Sequence, residues 1–241
     1  MKHNTHCRHV HQLGSTLLEL MVAIAILSVV TGAILSQLGQ ASQRIGAEQV
    51  KVDNFDEARD FVDQFFRDIN QIGYPNGHIQ NPAPSINSSA VAVGLVRISA
   101  TSVWFEGDIN GNGVVQSVQY MINGSGTCAL CLQRSAVPKI TANPLTGQTV
   151  ADWGTEVNDL TTTTIFTYFD TTGTQILAGA LPADIVNNPA TIASVKTIHI
   201  SLTIQNNAVM DPKTHQPIQT SFEGEVSLNN CSMAAGGAMT C

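Results

Sequence analysis

A nearly uninterrupted run of apolar residues begins at Leu17. Residues 17–35 read LLELMVAIAILSVVTGAIL and contain a single charged side chain, that of Glu19. A helix that crosses a membrane needs about 20 predominantly apolar residues, so this stretch is long enough to span one. A core helix of a soluble protein rarely lacks a polar face over such a length. The pattern therefore predicts an apolar, membrane-spanning helix near the start of the chain.

A second apolar pattern follows, now with helical spacing. Between Phe55 and Ile72, apolar residues recur every three or four positions with Asp and Arg residues between them, as expected for a helix with one buried face. Gly73 and Pro75 are expected to end this helix, as a C-cap and a helix-excluding residue. The two patterns together predict one long helix from Thr16 to Ile72, apolar in its first half and amphipathic in its second.

The rest of the chain has the composition of strands. After a loop rich in Pro, Asn and Ser, β-rich segments separated by turn residues occupy residues 91–100, 102–106, 114–122, 129–134, 161–169, 195–205 and 222–228. In the segment 195–205, the alternation places Ile198, Ile200 and Leu202 on one face. A helix followed by a run of strands predicts an α+β fold with an antiparallel sheet.

Charge is scarce and unevenly placed. Charged residues make up 12% of the chain, and eleven Lys and Arg against eighteen Asp and Glu give a net charge of −7. This balance leaves no basic footprint for nucleic acid, so no nucleic-acid partner is expected. Lys2 and Arg8 precede the apolar stretch, and the next Lys or Arg is Arg44. The positive-inside rule therefore predicts that the start of the chain stays in the cytoplasm and that the body is exported.

Glu19 lies near one end of the apolar stretch, where a carboxylate is costly and is a functional candidate. A cut after Gly14 would supply a positive partner, because it creates an α-amine on Ser15, four positions upstream of Glu19. An ordinary secretory signal has its small-residue cleavage site after the apolar stretch. Here Gly14 precedes that stretch, and only weak cleavage sites follow it. The sequence therefore favours cleavage before the apolar helix, which the mature chain keeps.

The residues GSTLLELMVAIAIL, from Gly14 to Leu27, resemble the class III signal of type IV pilins and type II secretion pseudopilins. The resemblance implies that a prepilin peptidase cuts after Gly14 and methylates the amine of Ser15. It also implies that Glu19, then the fifth residue, recognises the amine of a neighbouring subunit. The family usually has Phe directly after the cut, and Ser15 departs from that pattern.

The resemblance also implies a fold and a set of partners. The expected fold is α+β and pilin-like, with a long N-terminal helix packed on an antiparallel sheet. The expected partners are other pilin subunits, the prepilin peptidase and an inner-membrane assembly platform. Before assembly the chain is expected to cross the inner membrane once, and afterwards to reach the cell surface or a periplasmic pseudopilus. The expected regions are a leader (1–14), the membrane or filament-core half of the helix (15–42), its amphipathic half (43–75) and a β-rich body (76–241).

The function expected from this resemblance is that of a structural subunit, and a minor one, in a type IV pilus-like filament. Residues 59–75 are similar to the end of the helix in the minor pilin W and pseudopilin J group. A type II secretion pseudopilin is therefore an alternative, and a tip adhesin is an alternative of another class. An enzyme is not expected, because the sequence has no nucleophile elbow, P-loop or HExxH motif.

Two further features are candidate sites in the body. Asp108, Asn110 and Asn112 match the first half of a calcium loop, but only Asp108 is a carboxylate, so a hairpin turn explains the residues better than calcium does. No other cofactor is expected.

The cysteines outside the leader are the second feature, and all of them lie in the exported body, where disulfides form. They are Cys128, Cys131, Cys231 and Cys241. The expected pairs are Cys128–Cys131 and Cys231–Cys241, out of three possible connectivities. The second pair would also resemble the C-terminal disulfide loop of many pilins.

Overall fold

The computed structural model describes residues 16–75, 90–123, 130–141, 144–148, 151–228, 232–233 and 239–240. Its contacts divide the chain into two compact units, Met1–Gly46 and Ala47–Cys241. Helix α1, Leu17–Asn70, contributes to both. The fold is α+β, with a long N-terminal apolar helix and antiparallel β-sheets, as the sequence predicts.

The first unit contains the apolar part of α1. Every described residue from Thr16 to Gly46 is exposed, including large side chains such as Leu17, Leu27 and Val29. An 18-residue window of this helix is apolar enough to cross a membrane, and none of that window is buried. Because apolar area removed from water contributes about 25 cal/mol per Å², burial of this surface in lipid or against other chains would be strongly favourable.

The second unit contains the amphipathic part of α1. Ala58, Phe61, Val62, Phe65 and Ile69 are almost fully buried, at 2% exposure or less, which confirms the helical periodicity seen in the sequence. The helix ends at Asn70 rather than at Ile72, because the backbone of Ile72 forms a β-bridge with Gly107. Gly73 follows with a φ of 73°, a left-handed conformation that glycine adopts without strain.

Eleven strands are described, and every strand pair is antiparallel. In chain order they are β1 Leu95–Ile98, β2 Ser102–Gly107, β3 Gln116–Asn123, β4 Cys131–Pro138, β5 Gly154–Val157, β6 Phe166–Asp170, β7 Ala183–Asp184, β8 Val195–Met210, β9 Pro217–Ser227, β10 Ser232–Met233 and β11 Met239–Thr240. The second helix, α2, is Pro189–Ser194, and a single 3₁₀ turn covers Ala178–Ala180.

The strands form two main sheets rather than one. A six-stranded sheet has the order β5-β4-β3-β2-β1-β7, and a three-stranded sheet has the order β6-β8-β9, while β10 and β11 pair with each other. Strands β8 and β9 form a long hairpin in which Ile198, Ile200 and Leu202 are fully buried. These residues share the face that the sequence alternation assigns to them.

Phe65 of α1 joins the two sheets in the core. Its ring centroid lies 5.1 Å from that of Tyr120 on β3 and 5.7 Å from that of Phe166 on β6. The side chain is 0% exposed. A single helix face therefore packs against both sheets, and one hydrophobic cluster includes residues of α1, the six-stranded sheet and the three-stranded sheet.

The turn between β1 and β2 also joins the two sheets. The carbonyl oxygen of Ala100 accepts the backbone N–H groups of Ile165 and Phe166, at 3.0 and 3.2 Å. The hydroxyl of Tyr168 on β6 donates to the carbonyl oxygens of Ser99 and Ser102, at 2.9 and 3.0 Å. Hydrogen bonds to the backbone carbonyl groups of this tight turn therefore hold β6, the edge strand of the three-stranded sheet, against the six-stranded sheet.

Candidate assembly segment and its support

The exposed helix begins at a cap made by the predicted signal residues. The hydroxyl oxygen of Thr16 accepts the backbone N–H of Glu19 at 3.3 Å. Thr16 therefore acts as the N-cap and Glu19 occupies the third helical position, the S/T-x-x-E arrangement of a capping box. A carboxylate in the first turn also interacts favourably with the helix dipole. Sequence reasoning missed this local role, although the spacing of Thr16 and Glu19 signals it.

The other two signal residues, Gly14 and Ser15, lie outside the described residues. The cut after Gly14, the methylation of Ser15 and the amine partner of Glu19 therefore stay predictions. The geometry adds one fact to them: the side chain of Glu19 is exposed at the start of the helix. Its carboxylate is accessible to a group from another chain.

A buried polar network fixes the amphipathic part of α1 to the six-stranded sheet. The carboxylate oxygen Oδ2 of Asp68 accepts bonds from the Tyr120 hydroxyl at 2.7 Å, Arg134 Nε at 2.8 Å and Arg134 Nη2 at 2.7 Å. The other oxygen accepts Gln64 Nε2 at 2.6 Å. Asp68 is 2% exposed, and the combination of burial and this carboxylate raises the pKa of Tyr120 well above its usual range. Hydrogen bonds to a charged group are stronger than neutral ones, so the network holds the helix at one rotation.

Sequence reasoning did not identify this network. The signal was present, because Asp68 lies seven residues after Phe61 and three after Phe65, on the apolar face of the predicted helix. A carboxylate at a core position requires a partner. The partner residues themselves were not predictable, since Tyr120 and Arg134 follow at long separations in the sequence.

Two glycines allow close packing around α1. A Cβ at Gly224 of β9 would lie 2.8 Å from Phe66 Cζ and 3.4 Å from Val62 Cγ1. A Cβ at Gly107 would collide with the backbone carbonyl of Gln71, at the end of the helix. At Gly107 any side chain must displace the backbone at the end of α1, so glycine is required there for docking of the helix, whereas a side chain at Gly224 must displace the Phe66 ring.

The loop between β2 and β3 contains the residues of the candidate calcium loop, for which the sequence favours a hairpin turn. Asp108 is buried, and its Oδ1 and Oδ2 accept the backbone N–H groups of Asn112 and Gly113 at 3.1 and 2.7 Å. The side chain of Asn112 accepts the N–H of Val114 at 2.9 Å, and Asn110 is exposed. These bonds give Asp108 and Asn112 a structural role in the hairpin turn. Among the described residues, no group of three or more His, Cys, Asp or Glu side chains is arranged to hold a metal.

Of the predicted cysteine sites, only Cys131 belongs to the described residues. It is fully buried at the start of β4 and is disulfide-bonded. Cys128, Cys231 and Cys241 lie outside the described residues, so the pairing of the cysteines stays a prediction.

The comparison with known proteins found a match near the start of the chain, within the first unit. Residues 10–35 match the family model of the prokaryotic N-terminal methylation motif. The match includes Gly14, Ser15 and Glu19 and supports a signal of the type found in type IV pilins and pseudopilins. No curated protein and no solved structure matches the chain. The motif therefore indicates a pilin-like or pseudopilin-like structural subunit, and the interpretation of the body rests on its own geometry.

Proposed function

We propose that this chain is a minor structural subunit of a type IV pilus-like filament. The observation that carries the proposal is the overlap of the methylation motif at residues 10–35 with the first part of α1, residues 17–46, in which every apolar side chain is exposed. Such a helix suits membrane insertion before assembly and burial against other subunits afterwards. The α+β body provides a folded surface for the outside of the filament.

The signal residues have distinct roles in this proposal. The prepilin peptidase removes residues 1–14 by cutting after Gly14, and it methylates the new amine of Ser15. Glu19 then attracts the positively charged amine of a neighbouring subunit, an interaction that is strong in the low dielectric of lipid or a filament core. The leader faces the cytoplasm and the body faces the periplasm, since the basic residues precede the span. An assembly platform in the inner membrane transfers the subunit into the filament.

The first experiment is mass spectrometry of filaments sheared from the cell surface. The expected N-terminal peptide begins at Ser15 and carries one methyl group, and its abundance relative to the other subunits separates a minor from a major subunit. Gly14→Ala should leave the full-length chain in the membrane and out of filaments. A mature chain that begins at Ser15 in the Gly14→Ala variant would disprove the cleavage site.

The second experiment separates the two roles of Glu19. Glu19→Ala removes both the charge and the capping carboxylate, whereas Glu19→Gln removes the charge and keeps a side chain suited to a capping box. If charge pairing drives assembly, both variants are cleaved and neither is incorporated into filaments. Normal incorporation of Glu19→Gln would show that helix capping, rather than pairing with an amine, is the role of Glu19.

A type II secretion pseudopilin is the second candidate, because the same motif fits both assemblies. The two predict different locations for the assembled chain. A pilus subunit is recovered from sheared surface filaments, whereas a pseudopilin stays in the cell envelope, and its deletion blocks secretion of exported enzymes. Recovery from the envelope together with a secretion defect would favour the pseudopilin.

A further inference from the structure

A buried ion pair lies in the body, on a different face of the sheet from α1. Glu106 of β2 and Lys139, which directly follows β4, have Oε2 and Nζ 2.7 Å apart, and both side chains are 0% exposed. Val103 and Phe105 point from β2 into the core that contains α1, and Glu106 alternates with them to the other face. Neither residue belongs to the exposed part of α1, residues 17–46.

The hydrogen bonds around this ion pair satisfy some of its polar atoms but not all of them. Glu106 Oε2 accepts both Lys139 Nζ and the backbone N–H of Val93, the latter at 3.1 Å. Lys139 Nζ also donates to the carbonyl oxygen of Val91 at 2.9 Å. Glu106 Oε1 is buried and has no hydrogen-bond partner among the described residues. A buried ion pair is favourable only when its remaining polar atoms are also satisfied, and one oxygen of this carboxylate has no partner in the part of the chain that the structure describes.

A secondary amide would match the same surroundings completely. It has one oxygen that accepts and one N–H that donates, and the site offers the N–H of Val93 and the carbonyl oxygen of Val91. The atom that the amide lacks is the unpartnered Oε1. We propose that Lys139 and Glu106 condense to an intramolecular amide crosslink, which joins β2 covalently to the segment after β4.

The reaction balances within the pair. The Lys139 ammonium transfers a proton to the Glu106 carboxylate, and the neutral amine attacks Cδ. The Cδ–Nζ bond forms, the Cδ–Oε1 bond breaks, and Oε1 leaves as water with two hydrogens that Lys139 carried. Oε2 remains as the amide oxygen. Nothing is oxidised or reduced, and no co-reactant is needed.

Two features of the site favour this step. Burial raises the pKa of the Glu106 carboxyl despite the neighbouring Lys139, which favours the protonated acid that the reaction requires. Groups held in contact react as if at effective concentrations on the order of 10⁵–10⁸ M when their orientation is correct. The other partners of the pair are main-chain groups of Val91 and Val93, which do not transfer protons. The reaction therefore has no side-chain acid or base beyond the pair itself, and we expect the linked fraction to rise with the age of the protein.

The test is a tryptic digest of the full chain after denaturation, reduction and alkylation. Cleavage after Arg97, Arg134 and Lys139 releases residues 98–134 and 135–139 from an unlinked chain. The crosslink blocks cleavage at Lys139. It gives a branched species of residues 98–134 and 135–196, one water lighter than the two peptides together. Residues 197–213, released by cleavage after Lys196 and Lys213, provide the internal standard.

The expected result is the branched species in wild-type protein, with a loss of free 135–139 relative to the standard that grows between fresh and aged samples. Fragmentation should place the bond between Glu106 and Lys139, and Lys139→Met should abolish the species. Full recovery of free 98–134 and 135–139 from aged wild-type protein would overturn the proposal without any variant. Persistence of the species in Lys139→Met would do the same. Neither outcome depends on whether the chain assembles into filaments.

Discussion

The contact between Asp68 and Arg134 makes a quantitative prediction about the body. Arg134→Met keeps most of the side-chain length but removes the guanidinium, whose Nε and Nη2 lie 2.8 and 2.7 Å from Asp68 Oδ2. Asp68 would then remain as a carboxylate that is 2% exposed. Its bonds from Tyr120 and Gln64 would persist, but no positive charge would face it.

The expected loss follows from this geometry. Removing one partner of a buried ion pair costs about 3–5 kcal/mol. The Arg134 side chain is 19% exposed, and two hydrogen bonds still stabilise Asp68, so we expect the lower end, about 3 kcal/mol. Asp68→Asn should be destabilising as well. The double variant should lose less than the sum of the single variants, by about 1–3 kcal/mol, because neither charge is then left alone.

The assay is urea unfolding of the full chain in detergent, followed by near-UV circular dichroism. The first aromatic residue of the chain is Phe55, so the signal reports the body and not the apolar helix. Arg67→Met is the matched control, because exposed Arg67 lies next to Asp68 on the same helix and bonds only Gln64 among its described partners. Surface contacts of this kind contribute about 0–1 kcal/mol. Equal losses for Arg67→Met and Arg134→Met, or strict additivity in the double variant, would refute the reasoning.

Three further predictions concern other positions. Gly224→Val should lower the Tm of the body by several-fold more than Gly179→Val, since its side chain would overlap Phe66, whereas a Cβ at Gly179 meets open space and the backbone there has no positive φ; equal Tm shifts would contradict this. Asp108→Ala should lower the Tm equally with and without calcium, because the carboxylate bonds backbone N–H groups; a calcium-dependent Tm in wild-type protein alone would instead support the candidate calcium loop. Hydrogen bonds from Thr172 and Thr174 hold the pKa of Asp170 below its usual value, so this stabilisation is present at neutral pH and is lost as the pH falls through the lowered pKa. An NMR titration should show a higher Asp170 pKa in Thr172→Val.

The elements with a strong period were predictable from the sequence. The apolar stretch and the spacing from Phe55 onwards predict the end of α1 to within two residues, because the buried residues of a helix recur every three or four positions. The segment 195–205 predicts β8 and its buried face for the same reason. In contrast, Thr161–Thr164 have strand propensity but lie outside β6, which begins at Phe166. These threonines are exposed, and the continuous strand begins only after the buried Ile165.

Sheet membership and the buried charges were not predictable. Strands β5 and β7 have four and two residues, too short for a periodic signal. The division into two sheets depends on contacts between distant segments. In the sequence, nothing distinguishes Phe65 from the other apolar residues on the same face of the helix. Glu106 alternates outward on β2 as a surface residue would, but in the structure it is buried together with Lys139. Partners that are far apart in sequence leave no spacing by which to identify them.

The turn between β1 and β2 has a consequence for the order in which the body folds. Its residues are close in sequence, so the hairpin closes with little loop entropy. Ala100 can accept Ile165 and Phe166 only after this turn exists, and Tyr168 requires the same backbone to be in place. The β1–β2 hairpin is therefore expected to form in the folding transition state, before β6 docks. Substitutions in the turn should slow folding, whereas Tyr168→Phe should mainly accelerate unfolding.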